Sequence, residues 1–155
     1  MITNPNAVTL EAMRRQHHPR CVVCGANNDA LRLSFRLADD GAVEATLDCQ
    51  GALQGYPDRL HGGVLCTLLD GAMTNCLFAH GFAGVTAKLQ VRFHRAATIG
   101  EPATVRAEVF ERKDPLFCLR ARVVQGTALV ASAEATFVDT AAVDSLPFRT
   151  PDDRH

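Results

Sequence analysis

The segment from Gly62 to about Ala79 constrains the fold more than any other part of this chain. Its apolar residues recur at helical spacing and cover most of the circumference of a helix. They are Val64, Leu65, Leu68, Leu69, Ala72, Met73, Cys76 and Leu77. A helix that is apolar on nearly every side must be enclosed by other elements. His80-Gly81 predicts its end, because glycine readily adopts the left-handed conformation that follows many helices.

Strand-like alternation of apolar and polar residues surrounds this helix in the sequence. Residues 31–37 alternate clearly, Asp39-Asp40-Gly41 predicts a hairpin turn, and residues 42–47 predict the return strand. Four more alternating runs follow the helix, at 85–93, 103–111, 116–124 and 129–138. Because the turns between them are short, we expect antiparallel neighbours. The order predicts an α+β fold in which one sheet curves around one long helix.

The chain length suits a single domain, with 155 residues in all. We expect residues 1–20 to be an N-terminal extension with a short helix at 8–15, residues 21–139 to form the domain, and residues 140–155 to be a polar tail that frays. No internal repeat or low-complexity linker divides this arrangement.

Bulk composition excludes several classes of partner. The net charge of −1 and the 21% of charged residues do not indicate a nucleic-acid partner. No apolar run approaches the roughly 18 residues of a membrane span, and the N-terminus lacks the apolar core of a secretory signal. The six cysteines are scattered, which is typical of a reducing compartment. We therefore expect a cytoplasmic protein with no membrane partner.

The motif His61-Gly62-Gly63 stands at the predicted start of the long helix. The first N–H groups of a helix lack partners within it, and adjacent glycines let a ligand come close to the backbone. Such donors, with the positive end of the helix dipole, suit a polarised oxygen. An acyl-transfer enzyme needs such a donor, and one is typically worth ~3 kcal/mol of barrier. A tight turn without chemistry is the competing interpretation.

Asp70 interrupts the apolar pattern two turns into the helix, on a narrow side that it shares with Gly63, Thr67 and Thr74. An ionised carboxylate there could attack an acyl carbon or deprotonate a water molecule. The competing interpretation is a carboxylate that faces solvent at the edge of the apolar arc. The residue pattern by itself leaves both open.

Cys21-x-x-Cys24, with His17 and His18 just before it, offers zinc ligands. Only one such cysteine pair is present, and four ligands within eight residues is tight for tetrahedral geometry. A redox dithiol is disfavoured because no helix N-terminus follows to lower a thiol pKa. We expect a structured turn that packs the N-terminus on the sheet, with no metal.

Three segments together resemble the hotdog-fold acyl-CoA thioesterase superfamily, in the branch of the phenylacetate-pathway thioesterase. They are GYPDRLHGGVLCTLLDGAM at 55–73, VTAKLQVRFHRAATIGEP at 85–102 and CVVCGANNDALRLSF at 21–35. The resemblance implies a hotdog domain that hydrolyses an acyl-CoA, or another acyl thioester, without a cofactor. It also implies a homodimer, or a tetramer of two dimers, with substrate in a cleft between subunits.

Carried over by position, the resemblance implies a role for each matched residue. The Gly62 N–H would polarise the thioester carbonyl, Asp70 would be nucleophile or general base, and His61 would position the loop. Thr86 would complete the site from the partner subunit. Further substrate-binding candidates are Gly63, Gln54, Tyr56, Lys88, Arg92 and Arg95, the last three for the nucleotide phosphates. Many relatives carry Asn or Gln six residues before the histidine; here that position is Gly55, with Gln54 beside it.

Two other functions compete with hydrolysis. A non-catalytic acyl-CoA-binding hotdog domain would keep the cleft and lose the reaction. A hotdog hydratase or dehydratase would show a different arrangement of histidine and acid, so it ranks last. Release of a free thiol separates hydrolysis from both.

Overall fold

A six-stranded antiparallel sheet curves around one long helix, which confirms the predicted architecture. The structure, a computed structural model, describes residues 2–145. The helices are α1 (Ala7–His17) and α2 (Gly62–Ala79). The strands are β1 (Arg36–Leu37), β2 (Val43–Asp48), β3 (Gly84–Phe93), β4 (Pro102–Lys113), β5 (Leu116–Gln125) and β6 (Ala128–Asp139). Short 3₁₀ helices span Gly51–Leu53 and Thr140–Ser145.

Helix α2 is the buried centre of the fold, as its apolar pattern predicts. Every residue from Gly71 to Ala79 is buried. The helix ends as predicted, with His80 as its C-cap and Gly81 at φ +81°. Within the described residues, α2 is the one helix with the length and apolar content of a membrane span, and 67% of it is buried inside the protein.

The sheet has the order β1-β2-β4-β5-β6-β3, and all its pairs are antiparallel. Alternate residues of β5 and β6 are buried because that face of the sheet packs against α2; among them are Phe117, Leu119 and Phe137. Strand β3 forms one edge of the sheet and pairs within the described chain only with β6. Its other edge therefore carries unpaired backbone groups.

The predicted strand at residues 31–37 is wrong for most of its length. Only Arg36–Leu37 pairs in the sheet. The Leu31 and Leu33 N–H groups donate instead to carbonyls of Val22 and Val23. Arg32 has a positive φ of 50°, which breaks the extended backbone. The predicted alternation of burial nevertheless holds at Leu33 and Phe35, both buried, because the segment still lies along the core.

The N-terminal residues pack on α2. Helix α1 extends two residues beyond the predicted segment 8–15, and the Asn6 side chain caps its start by accepting hydrogen bonds from Val8 and Thr9. The Asn6 N–H donates to the Ala79 carbonyl at 2.8 Å, and Leu10 is buried. At the other end of the chain, residues 140–145 form a 3₁₀ turn, and the rest of the predicted tail lies outside the described residues.

Candidate active site

The N-terminus of α2 leaves one backbone donor open. His61 is the N-cap, and its Nδ1 accepts a hydrogen bond from the Gly63 N–H at 2.8 Å. The N–H groups of Val64 and Leu65 donate to the His61 carbonyl. The Gly62 N–H has no partner among the described residues. The donor predicted from the glycine motif is therefore available to a ligand.

His61 also has a defined tautomer. Because its Nδ1 accepts from Gly63, the neutral ring carries its proton on Nε2. The side chain is exposed, so Nε2–H can donate to a ligand. The same hydrogen bond holds the ring at the helix start, where a Cβ on Gly63 would lie 3.0 Å from Nδ1. Gly63 therefore provides space for His61.

An open groove of about 930 Å³ lies beside this helix start. Its lining includes five of the predicted site residues: Gln54, Tyr56, His61, Gly62 and Arg95. Sequence reasoning missed Phe93, which it placed among the inward residues of a strand. The Phe93 ring is 54% exposed and packs over Gly62, where a Cβ would lie 3.6 Å from the ring. The only feature of the sequence that could have indicated this role is the position of Phe93, an aromatic residue directly before His94 and Arg95.

The loop before His61 departs from the pattern of many relatives. Gly55 lies against the His61 ring, and a Cβ at this position would lie 3.2 Å from His61 Cδ2. An Asn or Gln there would crowd the ring. Gln54 lines the groove, and its Oε1 accepts a hydrogen bond from the Asp58 N–H at 3.2 Å. Its Nε2 has no partner in the described part of the chain, so one amide donor remains.

Asp70 is partly buried on α2 and has a specific partner. The Thr86 hydroxyl of β3 donates to Asp70 Oδ1 at 2.6 Å. The resemblance had assigned this threonine to the partner subunit; the structure places it against the aspartate of its own chain. Thr74 donates to the Asp70 carbonyl at 3.0 Å, so this part of the helix presents small polar groups as predicted.

A β-bulge directs Thr86 toward the helix. Thr86 pairs with the buried Phe137, whereas Lys88 pairs with Thr136, so Ala87 is an extra residue in β3. Residues directly opposite each other share a face of the sheet, so Thr86 faces α2 together with Phe137. Strict alternation in the sequence had placed Thr86 on the same face as Lys88. The bulge separates them.

The predicted site has two halves: Gly62 with its groove, and Asp70 with Thr86. These halves do not meet within one chain. Gly62 and Asp70 lie eight positions apart on the same helix, which separates them by about 12 Å along its axis. Asp70 and Thr86 do not line the groove at Gly62. A single carbonyl group cannot contact both the Gly62 N–H and the Asp70 carboxylate of one copy.

Lys88 and Arg92 lie away from both halves. Beyond the bulge, Arg92 pairs with Ser132 and faces the side of the sheet that α2 does not cover. Lys88 is exposed on that same outer side. Of the three cations predicted to contact phosphates, only Arg95 lines the groove at Gly62.

The predicted zinc candidates are partly brought together. Ligand atoms of His18, Cys21 and Cys24 all lie within 4.8 Å of one another. His17 is not in this group; its ring stacks on Phe78. Burial raises the pKa of the Cys24 thiol to about 11. Burial also lowers the pKa of His18, as does His17 to a lesser extent, whereas the charge of Asp70 opposes this shift.

Comparison with known proteins supports the family suggested by the sequence. Residues 58–132 match the family model of the thioesterase superfamily. No curated protein is significantly similar to the chain. A solved thioesterase superfamily protein is 28% identical with a TM-score of 0.66; the match covers 68% of this chain and 55% of that one. This chain therefore spans about half the length of that relative.

Two similar structures come from phenylacetic acid degradation. A degradation-related protein of Ralstonia eutropha is 25% identical, with a TM-score of 0.69, over 84% of this chain and 98% of its own. The PaaI protein of E. coli is 18% identical, with a TM-score of 0.74, over 86% of this chain and 94% of its own. The agreement over nearly the whole of these proteins confirms the hotdog fold.

A Streptococcus pneumoniae thioesterase protein, solved with coenzyme A, is 21% identical with a TM-score of 0.65. The match covers 70% of this chain and 88% of that protein. Two further structures of the same protein carry alanine in place of one aspartate and of one threonine, sixteen positions apart in its sequence. Asp70 and Thr86 have the same separation here.

Proposed function

This chain is a hotdog-fold member of the thioesterase superfamily, and from that premise we propose that it hydrolyses an acyl-CoA thioester to a free acid and coenzyme A. The observation that carries the proposal is the hydrogen bond from Thr86 to Asp70, 2.6 Å long. A carboxylate held in one orientation by a neighbouring hydroxyl is suited to act on an acyl carbon. The coenzyme A bound to the Streptococcus pneumoniae relative supports the choice of thiol.

In the proposed reaction, the Thr86 hydroxyl donates to Asp70 Oδ1, and Oδ2 is the oxygen that reacts. Asp70 either takes a proton from the attacking water or attacks the acyl carbon itself. With water as nucleophile, a C–O bond to water forms, the C–S bond breaks, and the proton taken by Asp70 passes to the departing thiolate. With Asp70 as nucleophile, an acyl–aspartyl anhydride forms as the C–S bond breaks; water then cleaves the anhydride to release the acid, and a proton from water goes to the thiolate. Negative charge develops on the carbonyl oxygen during attack, and a backbone N–H aimed at that oxygen lowers the barrier.

The Gly62 N–H is the proposed donor to that oxygen, and it must come from a second copy of the chain. The roughly 12 Å between Gly62 and Asp70 along α2 excludes a site made within one copy. We propose a two-fold homodimer in which each site combines Gly62 of one subunit with Asp70 and Thr86 of the other. The unpaired edge of β3 supports this assembly, because two such edges can extend the sheet across the dimer. Two dimers could form the tetramer.

The groove beside Gly62 is the proposed entry for the substrate. Tyr56 is 81% exposed there and Phe93 is half exposed, so two aromatic rings can contact an acyl or pantetheine chain. Arg95 supplies a positive charge for a phosphate. Gln54 offers its free amide donor in place of the group missing at Gly55. We further propose that His61 Nε2–H donates to the bound thioester and that the protein acts in the cytoplasm.

A non-catalytic acyl-CoA-binding domain is the second candidate. It is favoured by one observation, the glycine at position 55, where many relatives carry an amide side chain. Such a protein would bind an acyl-CoA in the same groove and release no thiol.

The experiment that separates the two measures free-thiol release from short, medium, long and aromatic acyl-CoAs, with Asp70→Asn in parallel. Asp48→Asn is the matched control, because Asp48 is an exposed carboxylate at the end of β2 with no side-chain partner among the described residues. Turnover that disappears only in Asp70→Asn supports the proposal. If no substrate in the panel is turned over and calorimetry detects acyl-CoA binding, the second candidate replaces it.

A further inference from the structure

A cluster outside the active site brings together three side chains that bind thiophilic metals. The ligand atoms of His18, Cys21 and Cys24 lie within 4.8 Å of one another, with Cys24 Sγ 3.9 Å from His18 Nδ1. In a tetrahedral zinc site, bond lengths of about 2.3 Å to sulfur and about 2.0 Å to nitrogen place the ligand atoms about 3.5–3.8 Å apart. Small side-chain movements would therefore bring all three into coordination distance.

The backbone of the turn presents both sulfur atoms to this cluster. The Gly25 N–H donates to the Cys21 carbonyl at 2.9 Å, and the Val23 N–H points at Cys21 Sγ at 3.4 Å. Gly25 has no room for a side chain, since a Cβ would lie 2.4 Å from the Cys21 nitrogen. The ligands are close in sequence, but the chain reverses between Cys21 and Cys24. The turn can therefore present both sulfur atoms to one metal ion.

A buried amide in α2 supports the sulfur of Cys24. Asn75 is fully buried, and its Nδ2 donates to Cys24 Sγ at 3.5 Å and to the Gly71 carbonyl at 2.9 Å. Its Oδ1 has no partner among the described residues. Leaving a buried polar atom unpaired costs about 1–3 kcal/mol. Such an amide is expected where it orients a metal ligand, because metal sites depend on hydrogen bonds to their ligands.

Neighbouring groups hold the other parts of the cluster. Arg14 donates to the Cys24 carbonyl at 2.8 Å, and its positive charge acts on the Cys24 thiol. The His18 ring packs edge-on against Phe78, with the ring centres 4.9 Å apart.

We propose that His18, Cys21 and Cys24 bind one zinc ion, with a water molecule as the fourth ligand. Two thiolates and an imidazole favour zinc over magnesium or calcium, which prefer oxygen ligands. Each thiol gives its proton to solvent when the metal binds. None of the three ligands lines the groove at Gly62, and the proposal does not depend on thioester hydrolysis.

The metal would fasten the N-terminal turn to the central helix. Val23, between the two cysteines, is buried against Gly71, where a Cβ would lie 2.7 Å from a Val23 methyl group. Gly71 is the residue after Asp70. Loss of the metal should therefore lower the stability of the whole domain, because α1 and this turn cover the middle of α2.

The test is elemental analysis of the reduced, tag-free full-length protein. We expect close to one zinc per chain, as for a three-ligand protein site. Cys21→Ser and His18→Gln should each lose the zinc. Cys118→Ser is the matched control, because Cys118 lies on β5 outside the cluster, and it should keep the metal. Zinc retained equally by all variants would show an adventitious ion and overturn the proposal.

Two further readouts do not depend on enzyme activity. Cobalt exchanged into the site should give a thiolate-to-cobalt charge-transfer absorption that Cys21→Ser lacks. A chelator should lower the thermal unfolding midpoint of the protein, and zinc should restore it, with no such response in His18→Gln. A reduced protein that binds no metal and gains no stability from zinc would overturn the proposal, as would a purified protein in which mass spectrometry finds a Cys21–Cys24 disulfide.

Discussion

Thr86 donates a hydrogen bond of 2.6 Å to Asp70 from the neighbouring strand of the same chain. This contact exists because an extra residue in β3 turns the threonine toward the helix while the residues beyond it keep their alternation. One oxygen of the Asp70 carboxylate is thus bound, and the other has no partner among the described residues.

Replacing Thr86 with valine should lower kcat for the best acyl-CoA by about ten- to one hundredfold, because a hydrogen bond to a charged group is worth about 1.5–3 kcal/mol. Valine keeps the shape of the side chain and removes only the hydroxyl. Thr86→Ser is the control and should retain most of the activity. Undiminished turnover in the valine variant would mean that Asp70 does not need this partner.

Replacing Gly62 with proline should reduce kcat by about 10²–10³-fold, as for the loss of one oxyanion donor. Proline is well tolerated at the first helical position; it removes the N–H group and adds a ring beside Phe93. Gly62→Ala is the matched control, since its Cβ would make an ordinary contact 3.6 Å from Phe93. Equal kcat values for the proline and alanine variants would place the oxyanion donor elsewhere.

Mixing the inactive Asp70→Asn and Gly62→Pro proteins should restore activity. Under random exchange of subunits, half of the dimers contain one intact composite site, so about a quarter of the wild-type rate is expected. The mixture must be unfolded and refolded together, or incubated until subunits exchange. If mass analysis shows mixed dimers but thiol release does not recover, the site is not shared between subunits.

Replacing Gly25 with alanine should destabilise the domain by about 1–3 kcal/mol, the usual cost of overpacking. The new Cβ would meet backbone atoms of Arg20 and Cys21 at 2.4–2.7 Å, and backbone cannot move aside as a side chain can. Gly51→Ala is the control, because nothing lies within 4 Å of its Cβ position. Thermal or urea unfolding measures both. A Gly25→Ala protein as stable as wild type would show that the turn can rearrange.

The ion pair between Glu11 and Arg14 predicts a small pH dependence of stability. A hydrogen bond from Arg14 lowers the pKa of Glu11 from its ordinary 4.5, with burial opposing the shift. A lowered folded-state pKa stabilises the protein above the unfolded pKa, and this contribution is lost as the pH falls through the folded value. Because Glu11 is largely exposed, the contribution should stay under about 1 kcal/mol. Urea unfolding of Glu11→Gln should show a deficit at neutral pH that disappears in acid; a deficit independent of pH would mean lost packing instead.

Much of the fold was predictable because local patterns determine it. The apolar run of α2 allows only an enclosed helix, and the alternation of β4, β5 and β6 allows only a sheet with one face against it. The helix start at Gly62, and its end at Ala79 shortly before Gly81, follow from glycine chemistry at helix termini. The prediction of a strand at 31–35 was wrong because alternation indicates only which side chains are buried. A strand also requires an adjacent strand that forms hydrogen bonds with its backbone.

Other features were decided only by tertiary structure, one in the candidate site and one outside it. The bulge at Ala87 sets the face on which Thr86 lies, and no residue pattern marks it, since bulges arise from pairing with the adjacent strand. The convergence of His18 with Cys21 and Cys24 depends on how α1 and the turn pack on α2.

The separation of Gly62 from Asp70 follows from local structure instead, because a helix rises about 1.5 Å per residue. The sequence by itself predicted that Gly62 and Asp70 carry the chemistry, because helix-start glycines and a carboxylate in an apolar helix are local signals. Only the tertiary structure decided that the groove opens at Gly62 and leaves out Asp70, because the loop before α2 and the residues after β3 pack together at the helix start and not at its middle.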